Sequence, residues 1–346
     1  MPPTHKEFRI GKPLPYIDAP YFSKEFIDES FVQPGGWQYP DGTGLIIPND
    51  YHGKYFNVSN GCRFTTNQPV NFINTVYIFG GSTIYCSEVP DEYTVPTQLQ
   101  LLFNEHYGDR FIVQNYGTTT VTSTQELERL RLIRLKKGDV VIFYNGVNDI
   151  HQGIYYANPD ETMIGRNRKV IKEMTSVSKA LFSLSRRSYF VRRWLNPINQ
   201  TNIPAHLKNN QELTKLLRSL YELYRTNIVN AELYVTQQKA FFFHFLQPNI
   251  FTRQQLSQYE NRLLLNYELN PVGIDGAFRR GYPVLREVHN NLLQHGKLNL
   301  YDLTRIFDNR ENETDEYYLD IAHVNHKANA IIAKEIFFKV YPKISQ

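Results

Sequence analysis

A doubly wound α/β fold on a largely parallel sheet is the architecture this sequence predicts, and two observations carry the expectation. Four short apolar runs recur along the chain, each closing on a small or polar residue, and amphipathic stretches separate them. Continuous apolar runs suit strands buried on both faces, and helical patterns between them suit right-handed crossovers.

The elements follow in chain order. Residues 1–70 stand outside the repeat: Pro34, Gly35, Gly36, Trp37 and Tyr39 cluster there, and the segment reads as an irregular extension that wraps the core and roofs a site. The first strand pattern, Thr75 to Phe79, ends in Gly80-Gly81-Ser82-Thr83, and Leu99, Leu101, Leu102 and Phe103 then mark a helix. The second, Phe111 to Val113, leads to Asn115-Tyr116-Gly117. Ser123 with Glu126 three residues on is a capping-box signature for a helix bearing Leu127, Leu130, Leu132 and Ile133. The third strand pattern, Asp139 to Tyr144, closes on Asn145-Gly146-Val147-Asn148-Asp149. Residues about 155–235 hold no strand pattern. Leu213, Leu216, Leu217, Leu220, Tyr224 and Ile228 make a helical stripe there, an insertion of the kind on which specificity or self-association is built. Ala240 to Leu246 closes on Gln247-Pro248, and Ala328, Ile331, Ile332, Ile336 and Phe337 predict a final helix against the sheet. The main domain is therefore expected at 71–346, interrupted by the insertion.

The chain of 346 residues, 41% hydrophobic and 14% aromatic, holds ample material for one large core. Its 38 basic and 34 acidic residues leave a formal charge of +4, too small and dispersed for a nucleic-acid footprint. The basic clusters Arg186-Arg187, Arg192-Arg193 and Arg129 to Lys137 fall at helical spacing and read as solvated helix faces. Cys62 and Cys86 are the only cysteines, so neither a disulfide framework nor a metal site is implied. Met1 to Pro20 is rich in proline and charge, and no run of about 18 apolar residues could span a bilayer, so a cytoplasmic location is expected. The turn at Gly80 to Thr83 lacks both the lysine of a phosphate loop and the third glycine of a dinucleotide fingerprint.

Open α/β sheets bind ligands at the carboxyl ends of their strands, which directs attention to the residues closing each run. Ser82 sits in a strand-to-helix turn where a helix N-terminus favours developing negative charge. By itself it also fits an ordinary turn or N-cap. The Asn148 amide and the Gly117 N–H could donate to an oxyanion, and both residue types are equally at home in plain turns. Asp320, three residues ahead of His323, can hold the imidazole by Nδ1–H and leave Nε2 to take a serine proton. A capping aspartate and a surface histidine is the other reading. His326 lies close but lacks that spacing from Asp320.

Taken together, Gly80-Gly81-Ser82, Gly117, Gly146-Val147-Asn148-Asp149 and Asp320-Ile321-Ala322-His323 resemble the four sequence blocks of the SGNH hydrolases, also called the GDSL esterase and lipase superfamily. The likeness spans roughly 72–150 and 238–342. It implies the flavodoxin-like sheet of the SGNH hydrolase fold and a catalytic set of Ser82, Asp320 and His323. It also implies oxyanion donors from the Ser82 and Gly117 N–H groups and the Asn148 amide, with no metal or organic cofactor. Gly81 stands where the first block often has aspartate.

Val76 to Phe79, Val89-Pro90-Asp91-Glu92 and Phe245-Leu246-Gln247-Pro248 are similar to SGNH proteins associated with bacterial surface-polysaccharide gene clusters. That likeness implies hydrolysis of an O-acyl ester, specifically an O-acetyl ester, on a small molecule or carbohydrate. Trp37, Tyr39 and Tyr51 read first as packing residues, with stacking on a sugar ring as the other reading. The same Ser82, Asp320 and His323 set would serve an O-acyltransferase of surface polysaccharide. The remaining alternative is a non-catalytic binding or scaffold protein that keeps this fold and contacts a partner through the insertion, which could also serve self-association.

Overall fold

The computed structural model describes residues 14–16, 18–31, 36–38, 40, 44–157, 204–269, 273–296, 298–308 and 316–345. The expected strand runs become β6 (Asn74–Gly80), β7 (Phe111–Gly117), β8 (Val140–Asn145) and β9 (Phe241–Leu246). β10 (Leu300–Asp302) pairs parallel with β9. β6 pairs parallel with both β7 and β8, and β8 with β9. The extension contributes more than an irregular wrap. β3 (Tyr51–His52), β4 (Asn57–Ser59) and β5 (Cys62–Arg63) add an antiparallel ribbon, giving the order β10-β9-β8-β6-β7-β5-β4-β3. β1 (Trp37–Gln38) and β2 (Ile47–Pro48) form a separate hairpin. These strands of two or three residues and the short β10 are too brief to show a period in the sequence.

Helices fill both faces: α1 (Lys24–Phe31), α2 (Ser82–Tyr85), α3 (Val95–Tyr107), α4 (Ser123–Leu130), α5 (Val147–Ile150), α6 (Asn210–Gln237), α7 (Gln258–Leu269), α8 (Ile274–His295) and α9 (His326–Ile344). Val76 and Ile78 pack with Leu99 and Phe103 of α3 and Ile332, Ile336 and Phe337 of α9. On the opposite face Phe79, Val141, Phe143 and Phe242 meet Ile228 of α6 and Leu285 of α8. Alternate residues of each strand are thus buried on opposite sides, which is why the runs are continuously apolar. The stripe at 213–228 lies on α6, which packs on α4, α8 and β9. Residues 158–203, the first part of the expected insertion, lie outside the described residues, as do Tyr39, Arg186, Arg187, Arg192 and Arg193.

Three local expectations are corrected. The capping box of α4 is built one residue earlier, by Thr122 and Gln125. Ser123 instead turns inward, donating its N–H and hydroxyl to Asp149 Oδ1 at 3.0 and 2.6 Å, while Glu126 Oε2 accepts from Asn145 Nδ2 at 2.6 Å. α4 stops at Leu130, so Leu132 is exposed beyond it. Nor is Arg129 solvated. It is buried, and its guanidinium donates to Tyr116 O, Thr118 Oγ1 and Gly61 O, tying the ribbon to β7. Among the described residues no helix is long and apolar enough to cross a membrane.

Candidate active site

β6 and β8 are adjacent, but the chain visits β7 on the far side of β6 between them. This is the topological switch point at which open α/β sheets hold ligands. Ser82 leaves the end of β6 as the first residue of α2, and Asn148 leaves β8 in α5. At the turn, Gly81 has an unstrained φ of −75°, so its need for glycine is one of space. A Cβ there would lie 2.3 Å from Asn148 Nδ2. The position that departs from the common aspartate is thus occupied by the asparagine amide itself.

Ser82 meets its partners from the far end of the chain. An antiparallel bridge between Tyr318 and Val324 presents residues 319–323 as a tight turn, closed by Leu319 N–H to His323 O at 2.8 Å. Buried Glu260, ion-paired with Arg253, accepts the N–H groups of Tyr317 and Tyr318 at 3.0 and 3.1 Å and fixes the root of that turn. Asn325 caps α9 by accepting from Ala328 N at 3.0 Å and donates to Pro15 O and Glu316 O. Within the turn, Asp320 Oδ1 accepts the N–H groups of Ala322 and His323 at 2.9 and 2.8 Å. Its Oδ2 lies 2.7 Å from His323 Nδ1, and His323 Nε2 lies 2.7 Å from Ser82 Oγ. Nδ1–H donated to a carboxylate leaves the Nε2 lone pair for the serine hydroxyl. The side chains of Asp320 and His323 remain 16% and 17% exposed, so the line opens to solvent. His326 is elsewhere, its Nδ1 3.5 Å from Tyr21 OH, and burial lowers its proton affinity.

The three expected oxyanion donors have different surroundings. The Ser82 N–H lies in the first turn of α2, where helical geometry supplies no acceptor. Asn148 donates one amide hydrogen to Val121 O at 2.8 Å, which orients the group beside Gly81 and leaves its second N–H for a ligand. Gly117 is not available in the expected way: its N–H donates to Asn115 Oδ1 at 2.8 Å, while Asn115 Nδ2 donates to Ile84 O at 2.9 Å. Gly117 has a packing duty instead, since a Cβ there would strike Tyr85 N at 2.3 Å. Asn115, the residue the sequence reading missed, staples α2 to the end of β7. Its only signal was an Asn two residues before a glycine. Burial pushes the nearby Cys86 thiol up to about 12, so this sulfur does not compete as a nucleophile. Trp37 packs on Tyr85, ring centroids 5.2 Å apart, and Tyr51 lies against the core.

The fold and this constellation define an α/β protein with an assembled Ser-His-Asp line at the carboxyl end of its sheet. Solved structures similar to the chain include a member of the lipolytic G-D-S-L family from Veillonella parvula DSM 2008. That match has 10% identity and a TM-score of 0.44, and covers 78% of this chain and 97% of that one. An acetyl xylan esterase, AlAXEase, is 14% identical with a TM-score of 0.44, covering 77% and 99%. The psychrotrophic esterase EstA from Pseudoalteromonas sp. is 12% identical with a TM-score of 0.38, covering 79% and 100%. No family model matches the chain, and no curated protein matches it. At these identities and TM-scores, the functional reading rests on the chain's own residues.

Proposed function

We propose that the protein is a serine-dependent ester hydrolase that works through an acyl-enzyme, with the O-acetyl ester of a carbohydrate as its substrate class. The observation that carries the chemistry is the unbroken line from Ser82 Oγ through the His323 ring to Asp320, 2.7 Å at each contact. The substrate class comes from the likeness of Val76 to Phe79, Val89-Pro90-Asp91-Glu92 and Phe245-Leu246-Gln247-Pro248 to SGNH proteins associated with surface-polysaccharide gene clusters.

As Ser82 Oγ bonds to the ester carbonyl carbon, its O–H bond breaks and the proton passes to His323 Nε2. The carbonyl π pair moves onto oxygen, and the Ser82 N–H and the second Asn148 amide hydrogen donate to it. Collapse expels the alcohol, which takes the proton from Nε2, and water repeats the sequence to release the acid. A scaffold that had abandoned catalysis would have no use for this alignment.

Hydrolysis of p-nitrophenyl acetate by wild type beside Ser82→Ala tests the reading, with circular dichroism to confirm equal folding and a fluorophosphonate probe to report the serine. Activity and labelling lost only in the variant are expected. A wild type that neither hydrolyses the ester nor takes the probe would refute it.

A further inference from the structure

A second carboxylate reaches the imidazole from the side opposite Asp320. Glu88 Oε1 lies 4.0 Å from His323 Nε2, the nitrogen that faces Ser82, and its side chain is only 4% exposed. The segment that carries it is held at both ends. The side chain of Arg63 is wholly buried. It donates to Tyr85 O at 2.6 Å, to Cys86 O, and to Val89 O at 2.7 Å. Its Nε pairs with Asp91 Oδ1 at 2.8 Å, and Asn57 Nδ2 engages the other oxygen of Asp91 at 2.9 Å. Cys86 turns the chain through a left-handed φ of 56° just before Glu88, and Tyr16 OH donates to Glu88 O at 2.9 Å. Ser87 Oγ donates to Glu88 Oε1 at 2.9 Å, fixing the carboxylate itself. One buried guanidinium thus clamps three carbonyls around a carboxylate aimed at the histidine, a construction that core packing alone does not call for.

We propose that Glu88 is a positioning residue acting through His323: its fixed negative charge stabilises the imidazolium that forms as Ser82 attacks. This rests on the serine-hydrolase reading above. When the Ser82 proton moves to Nε2 and the Oγ–C bond forms, the imidazolium is flanked by Asp320 at Nδ1 and by Glu88 beside Nε2. Opposite charges at such separations favour the charged form of a group. The other titratable groups packed around the turn do not compete. Burial raises the Tyr259 hydroxyl of α7, which senses Asp320, Glu316 and Glu260, so it stays neutral. Burial also favours neutral His326 at the head of α9. Burial raises Glu316, and Glu260 is paired with Arg253.

Glu88→Gln keeps the size of the side chain and an acceptor for Ser87 while removing the charge. It is expected to lower kcat/KM for p-nitrophenyl acetate by about tenfold above neutrality and to move the acid limb of the pH–rate profile about one pH unit lower. The two profiles therefore converge in acid, whereas a merely structural defect lowers the rate at every pH and leaves the limb in place. Glu88→Asp should restore part of the shift. Carbon-labelled histidine NMR, with His323 assigned by His323→Asn, reads the same coupling without turnover, and its titration midpoint should fall in Glu88→Gln. An unmoved limb and an unmoved midpoint, with Ser82-dependent hydrolysis intact, would overturn the role of Glu88 alone. A midpoint that moves in a protein that hydrolyses no ester would uphold the coupling and remove the hydrolase reading.

Discussion

Gly81→Ala should disable the site while leaving the fold nearly untouched, because one methyl group would displace one amide. The added Cβ would sit 2.3 Å from Asn148 Nδ2. Carbon contacts become favourable only near 3.5 Å, so the amide must withdraw by roughly 1 Å. That retreat breaks its 2.8 Å hydrogen bond to Val121 O and swings the second N–H away from the oxyanion position. Misplacing a reacting group by about 1 Å costs on the order of 100-fold, and losing an oxyanion donor costs about 100- to 1,000-fold. A fall of about 100-fold in kcat for p-nitrophenyl acetate is therefore expected. Stability should change by less than about 1 kcal/mol, because the atom that must move is the far end of a side chain. Asn148→Ala should produce the same loss, and adding Gly81→Ala to it should cost almost nothing more, since the clash has lost its partner. A Gly81→Ala protein with wild-type rate, or one whose defect adds in full to that of Asn148→Ala, would refute this account of the turn.

Two further expectations concern the supports of the site. Glu126 and Asp149 are buried side by side, and Glu126 Oε1 and Asp149 Oδ2 have no hydrogen-bond partner among the described residues. Burial, with Asp149 adding to it, raises the Glu126 carboxyl well above its ordinary value. A group raised in the folded state binds protons that the unfolded chain has released, so stability falls as pH climbs through the ordinary carboxylate range toward the folded value. Glu126→Gln removes that loss. Chemical denaturation should find the two proteins nearly equal in acid and the variant ahead by about 1–3 kcal/mol above neutrality, and a gap independent of pH would count against the argument. Arg63→Met should cost about 3–5 kcal/mol, because Asp91 and three carbonyls lose a buried partner. An unchanged melting temperature would show that the clamp is dispensable.

What the sequence could reveal divides along the range of the interaction that places each residue. That Ser82, Asn148, Asp320 and His323 lie together was foreseeable because each is placed by neighbours within a few positions: a strand end, a turn, a three-residue spacing. Gly117 was misjudged for the opposite reason. Whether its N–H faces a ligand is decided by which way the Asn115 side chain folds, and that depends on Ile84, which lies 31 positions from Asn115. The α4 cap shows the same limit in miniature. Thr122 with Gln125 and Ser123 with Glu126 both fit the motif, and the frame is chosen by Asp149, which takes both Ser123 donors from 26 positions away. Arg129 sat in a run of basic residues that read as solvent-facing, yet the carbonyl of Gly61 on an unforeseen ribbon draws it inward. Arg63 and Glu88 belong with these, since neither lies in any local pattern: Arg63 takes its meaning from the carbonyls of Tyr85 and Val89, and Glu88 from the approach of His323. A reading by blocks therefore picks out Ser82, Asn148, Asp320 and His323 and misses the buried charges packed around them. Buried ionic groups outside the four blocks are accordingly where this chain's own chemistry should be sought.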